Sequence, residues 1–82
     1  MNTEQIKGLA ISDNGFIFDP TTGYSYNTNE LGFLILKMLK DNHSKEAIIQ
    51  NILDEYDISE DRLSLDFDHY IMQLTALNLI ED

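Results

Sequence analysis

The stretch Tyr24-Ser25-Tyr26-Asn27-Thr28-Asn29-Glu30-Leu31-Gly32-Phe33-Leu34-Ile35-Leu36 is where the chain changes its period. Before Asn29 the side chains alternate, with Tyr24 and Tyr26 on one face and Ser25 on the other, which is the two-residue repeat of a strand. After it Leu31, Leu34, Ile35, Met38 and Leu39 recur at helical spacing up to about Lys40. Asn29 suits an N-cap, and Glu30 sits well at the positive end of the helix dipole. Phe33 and Leu36 fall off the stripe. This helix is therefore apolar over most of its circumference and belongs at the centre of the molecule.

Upstream of the switch, short β-prone runs are separated by strong turn signals. Leu9 to Ser12 reads as a first strand and Phe16 to Asp19 as a second. Asp13-Asn14-Gly15 between them supplies residues that tolerate positive φ, as a tight hairpin requires. Asp19-Pro20-Thr21-Thr22-Gly23 is a second turn, with φ fixed at Pro20 and Gly23 free to bulge. Tyr24 to Tyr26 follows as the third strand of an antiparallel meander.

Downstream, Asp41-Asn42-His43 breaks the first helix. Ser44 caps a second, with Ile48, Ile49, Ile52, Leu53 and Tyr56 on one face and an end near Asp57. Ser59 or Asp61 opens a third, which turns Leu63, Phe67, Tyr70, Ile71, Leu74 and Leu77 inward. Asn78 suits the left-handed position that stops a helix, after which Leu79 and Ile80 fold back on the core. Three strands followed by three helices, without repeats or a linker, define one α+β domain over residues 1–82, winged helix-turn-helix-like in content.

The chain has 82 residues, 43% of them hydrophobic, and no cysteine, so a single core must form from its own aliphatics. Its net charge of −10 repels a phosphate backbone instead of releasing counterions, which excludes nucleic acid as an expected partner. The acidity lies in the second half: residues 1–40 are close to neutral, whereas Asp54 to Asp68 holds seven acids against Arg62 alone. That run reads as a solvated face or as a surface for a basic partner. The longest apolar run, Leu31 to Met38, falls far short of the roughly 20 residues of a membrane span, and the N-terminus lacks the features of a secretory signal. The expected compartment is the cytoplasm, with no membrane partner.

Catalytic and metal chemistry find little support. His43 and His69 are separated by a whole helix, without the spacing of a metal pair. Asp57 to Asp68 imitates a calcium loop, but Arg62 stands where glycine is needed and Asp68 where the bidentate glutamate belongs. There is no cysteine nucleophile and no glycine-rich phosphate loop. Neither an enzyme nor a bound cofactor is expected. A binding surface remains, because the third strand is a sheet edge unless the chain returns to cover it. An open edge presents unpaired backbone groups that accept a peptide strand.

The quoted stretch resembles the PqqD family, whose members carry a tyrosine-bearing strand running into an Asn-Glu-x-Gly helix start, here Asn29-Glu30-Leu31-Gly32. Ser44-Lys45-Glu46-Ala47-Ile48-Ile49 is similar to the start of the family's second helix. Phe67, Tyr70, Ile71, Leu74, Asn78, Leu79 and Ile80 match its closing helix and end, with Asn78 in place of the usual glycine. The resemblance covers roughly residues 9 to 81. It implies a RiPP recognition element: a peptide chaperone that binds the leader segment of a ribosomally made precursor peptide and delivers it to a modifying enzyme, often a radical S-adenosylmethionine enzyme. It also implies that the leader adds beside the third strand, against the third helix. Because the chain begins at Met1 and stops two residues after Ile80, a free-standing member acting in trans is expected.

The expected peptide-binding residues are Gly23, Tyr24, Ser25, Tyr26 and Asn27 on the strand, and Asp66, His69, Tyr70 and Gln73 on the third helix. Tyr24 and Tyr26 share a face, so both could instead simply pack on the helices, and His69 also reads as a solvated helix residue. The opposite flank of that helix, Ser64, Asp68 and Thr75, is an alternative wall. A DNA-binding winged-helix regulator is the rival function, and the eight acids against Lys45 and Arg62 across the second and third helices speak against it. A small assembly subunit of a larger enzyme is a further alternative. The same open edge allows either a monomer or an edge-paired homodimer.

Overall fold

The computed structural model describes residues 2–81. A three-stranded antiparallel sheet is followed by three helices, as the change of period at Asn29 requires. The strands are β1 (Ala10–Ile11), β2 (Phe16–Phe18) and β3 (Ser25–Asn27), in the spatial order β1-β2-β3. β1 and β2 are shorter than the β-prone runs that contain them, because the hairpins give residues to their turns, and β3 begins one residue later than the expected Tyr24 and runs one residue further, to Asn27. Gly15 (φ 85°) and Gly23 (φ 80°) take the positive φ their turns need, and their amides donate to the Ser12 carbonyl at 3.0 Å and the Asp19 carbonyl at 2.8 Å.

A four-residue helix, α1 (Glu4–Lys7), precedes the sheet and is absent from the sequence reading. It is too short for a periodic signal and carries one aliphatic residue, Ile6, which is completely buried. The chain ends meet beside it, where Asn2 and Glu81 exchange backbone hydrogen bonds of 2.6 and 3.2 Å.

The long helices are α2 (Glu30–Lys40), α3 (Lys45–Glu55) and α4 (Glu60–Ala76). Each start is closed by a side-chain oxygen that accepts an otherwise unpaired amide: Asn29 from Gly32, Ser44 from Ala47, and Ser59 from Arg62. Ser59, not Asp61, is thus the cap of α4. Two asparagines in the left-handed region, Asn42 (φ 66°) and Asn78 (φ 62°), terminate α2 and α4. At both ends the following amide reaches back to the helix, His43 to the Met38 carbonyl at 3.0 Å and Leu79 to the Leu74 carbonyl at 2.9 Å. Leu79 and Leu74 are both buried, which adds the apolar contact typical of this motif.

Helix α2 lies at the centre, with Ile35, Leu36 and Leu39 buried around more than one face. Around it gather Ile17 from the sheet, Ile48 and Ile52 from α3, Leu63, Phe67 and Leu74 from α4, and Ile80 from the chain end. Lys40 ties its last turn to the sheet by donating from Nζ to the Leu9 carbonyl at 2.7 Å. Two side chains expected to face inward do not. Leu77 is 45% exposed because it is the C-cap, where the chain leaves the helical path. Tyr56, the C-cap of α3, is 38% exposed and donates its hydroxyl hydrogen to Glu30 Oε1 at 2.8 Å.

Candidate functional site

Both outer strands of the sheet are edges, and β3 is the one that lies beside α4. Its register pairs Phe16 with Asn27, Ile17 with Tyr26 and Phe18 with Ser25. The flanking bonds fix the phase of the ladder: Thr28 N–H donates to the Gly15 carbonyl and Asp19 N–H to the Tyr24 carbonyl, both at 2.9 Å. In an antiparallel pair the hydrogen-bonded positions alternate, so the main chain of Tyr24, Tyr26 and Thr28 turns toward β2. The amides and carbonyls of Ser25 and Asn27 therefore turn outward. The edge offers two donors and two acceptors at a spacing that another strand can match.

The end of β3 is locked to α4 by a compact joint. Asn29 Oδ1 accepts the Gly32 amide at 2.8 Å and sets the start of α2. Gly32 leaves room over that first turn for the Tyr70 ring and the Thr28 side chain, and their hydroxyls meet at 3.2 Å. Burial pushes the Tyr70 hydroxyl above the ordinary phenol range, against an opposing effect of the Thr28 bond, so it stays protonated at neutral pH. A methyl at Gly32 would overlap Thr28 Oγ1 and come within 3.1 Å of the Tyr70 ring. Gly32→Ala gains about 1 kcal/mol of helix propensity, but forcing the joint apart costs about 1–3 kcal/mol. We expect a net destabilisation in urea unfolding that disappears in the Thr28→Ala background. Equal effects of Gly32→Ala in the two backgrounds would show that the joint is not the constraint.

Three adjoining hollows follow the seam between β3 and α4. The central one, about 240 Å³, is walled by Ile17, Tyr26, Tyr70, Leu74 and Leu77 with Gln73 at its rim. One neighbour, about 260 Å³, lies over the start of α2 and is lined on the α4 side by Asp66, His69, Tyr70 and Gln73. The other lies beyond the first residues of β3, among Tyr24, Ser25, Tyr26, Leu77 and Glu81. The seam thus brings together eight of the nine residues expected from sequence. Gly23 lines none of the hollows and serves the turn. The two tyrosines part company: Tyr26 is half-buried against the core, whereas Tyr24 is 65% exposed at the mouth.

The opposite flank of α4 is occupied otherwise. Asp68 pairs with Lys45 at 3.0 Å, Ser64 faces the cleft with α3, and Thr75 donates back to the Ile71 carbonyl at 2.8 Å. Thr28, Leu77 and Gly32 belong to the seam and were not expected in it. Thr28 and Gly32 lie within the stretch that decides the fold, yet their roles depend on the placement of Tyr70, 42 residues beyond Thr28. Among the described residues no group of three or more His, Cys, Asp or Glu is placed to hold a metal ion, and no helix is long and apolar enough to cross a membrane.

Sheet, helices and seam together define a winged helix-turn-helix-like α+β domain with an open strand edge beside its last helix. The chain belongs to the PqqD family: the family model described as coenzyme PQQ synthesis protein D matches residues 15–80. Among solved structures it is similar to a lasso peptide synthetase B1 complexed with the leader peptide. The two share 25% sequence identity at a TM-score of 0.70, over 83% of this chain and 81% of the other. A search of curated proteins gave no match.

Proposed function

We propose that this protein binds the leader segment of a ribosomally made precursor peptide as an added strand on β3, and presents it to a modifying enzyme. The observation that carries the reading is the pair of outward-facing residues, Ser25 and Asn27, on an edge that runs beside the seam with α4. Strand addition takes its affinity and register from such main-chain groups and its specificity from adjacent pockets. Family membership supports the reading, as does a structural neighbour solved with a leader peptide bound.

The peptide runs antiparallel to β3 over Gly23 to Asn27, with α4 as the second wall. Asp66, His69, Tyr70 and Gln73 meet its side chains. The domain performs no chemistry of its own and needs no cofactor. The enzyme it serves is of the kind the family resemblance implies, often a radical S-adenosylmethionine enzyme, and the encounter takes place in the cytoplasm where the precursor is made. Titration of labelled protein with synthetic leaders from neighbouring open reading frames tests this. Saturable binding at micromolar concentration is expected for one of them, and failure of all of them would refute the proposal.

A further inference from the structure

We infer that the leader accepted by this groove is basic, carrying a lysine or arginine on the N-terminal side of an apolar residue seated in the central hollow, where it meets Asp66. The inference rests on the leader-binding reading and specifies its ligand. The three hollows have an apolar middle and acidic ends. Asp66 stands at one end, Asp19 and Glu81 at the other, and among the described residues no lysine or arginine lines any of them.

The basic side chains of the chain are engaged elsewhere. Lys7 pairs with Glu4, Lys45 with Asp68, Lys40 with the Leu9 carbonyl, and Lys37 lies over the Phe33 ring at 5.7 Å. Arg62 alone comes near, at 3.3 Å from Asp66. That partner is 71% exposed, and exposed pairs of this kind are weak enough to exchange for a ligand cation. Asp19 is buried and its Oδ1 accepts the Thr21 amide, so at its end the exposed Glu81 is the freer carboxylate.

Direction follows from the topology. The last residues of β3 lie toward Asp66 and its first residues toward Glu81, so an antiparallel peptide enters at Asp66 with its N-terminal part. Its residue opposite Tyr26 faces the same side of the sheet as that tyrosine and finds the central hollow, which is large enough for one aliphatic or aromatic side chain. A cation two residues before it, opposite Thr28, faces that same side and reaches Asp66. A net charge of −10 on the whole chain adds long-range attraction for such a peptide.

The experiment uses a leader-derived synthetic peptide in versions with lysine, glutamine or glutamate two residues N-terminal of the residue whose alanine substitution costs most affinity. Binding to the full chain is read by fluorescence anisotropy at low and high salt. The lysine version should bind about tenfold more tightly than the glutamine version, and glutamate more weakly still, with the ranking shrinking at high salt. Asp66→Asn should remove most of the lysine preference, and Arg62→Gln should enlarge it. If all versions bind equally, or if the preference survives Asp66→Asn intact, the charge inference is wrong while leader binding stands. If no leader-derived peptide binds at all, the reading beneath it falls as well.

Discussion

Replacing Ser25 by proline is expected to weaken leader binding by about ten- to a hundredfold while leaving the domain folded. The ladder places the Ser25 amide on the outer side of β3, so proline removes a donor meant for the ligand and none of those bonded to β2. Its ring also projects where the incoming strand must approach. The same change at Tyr26 would delete an inward amide and damage the sheet itself. Asp54→Ala is the control, because Asp54 is exposed on α3, bonded only to Gln50 on its own helix, and should leave affinity unchanged. An amide correlation spectrum verifies the fold of each variant and maps the site with a cognate leader. Shifts should concentrate on Gly23 to Asn27 and on Asp66 to Gln73. If the largest ones fell on Ile48 to Tyr56 and spared β3, the groove would be misplaced.

How much of this was readable from residues alone depended on the range of the interaction. Local signals transferred well. Asn29, Ser44 and Ser59 cap because each needs only its own helix, and Gly15 and Asn78 take left-handed values that their immediate neighbours impose. The open edge was legible too, since a meander without a returning strand must leave one. Features set by distant partners were not. Ile6 is one aliphatic residue in a four-residue helix, and only the assembled core reveals its full burial. The two flanks of α4 are equally polar in sequence. The structure separates them because Lys45 takes Asp68 on one side while Thr28 takes Tyr70 on the other. Tyr24 and Tyr26 alternate alike, but Tyr24 lies just outside β3, so the core covers only the second.

The largest loss of stability is expected at Gly15, and Gly23 supplies the comparison that isolates its cause. Both glycines have nearly the same positive φ, 85° and 80°, so alanine at either pays about 1–2 kcal/mol for the left-handed backbone. They differ in space. Nothing lies within 4 Å of a methyl added at Gly23, whereas one added at Gly15 would overlap the main-chain carbonyl of Thr28. That carbonyl cannot rotate aside as a side chain could. Gly15 is also held on both sides, its carbonyl accepting the Thr28 amide at 2.9 Å and its own amide donating to Ser12 at 3.0 Å. Relief would require moving the junction of β3 and α2, and with it the Thr28–Tyr70 contact that anchors the seam. Gly15→Ala should therefore cost about 2–5 kcal/mol in all, the strain plus an overpacking penalty of about 1–3 kcal/mol. A domain this small has about 4–12 kcal/mol to lose, so Gly15→Ala should be largely unfolded in modest urea where Gly23→Ala is still native. Urea unfolding followed by circular dichroism measures both. Equal losses at the two positions would mean that the close approach of Gly15 to Thr28 does not constrain the fold.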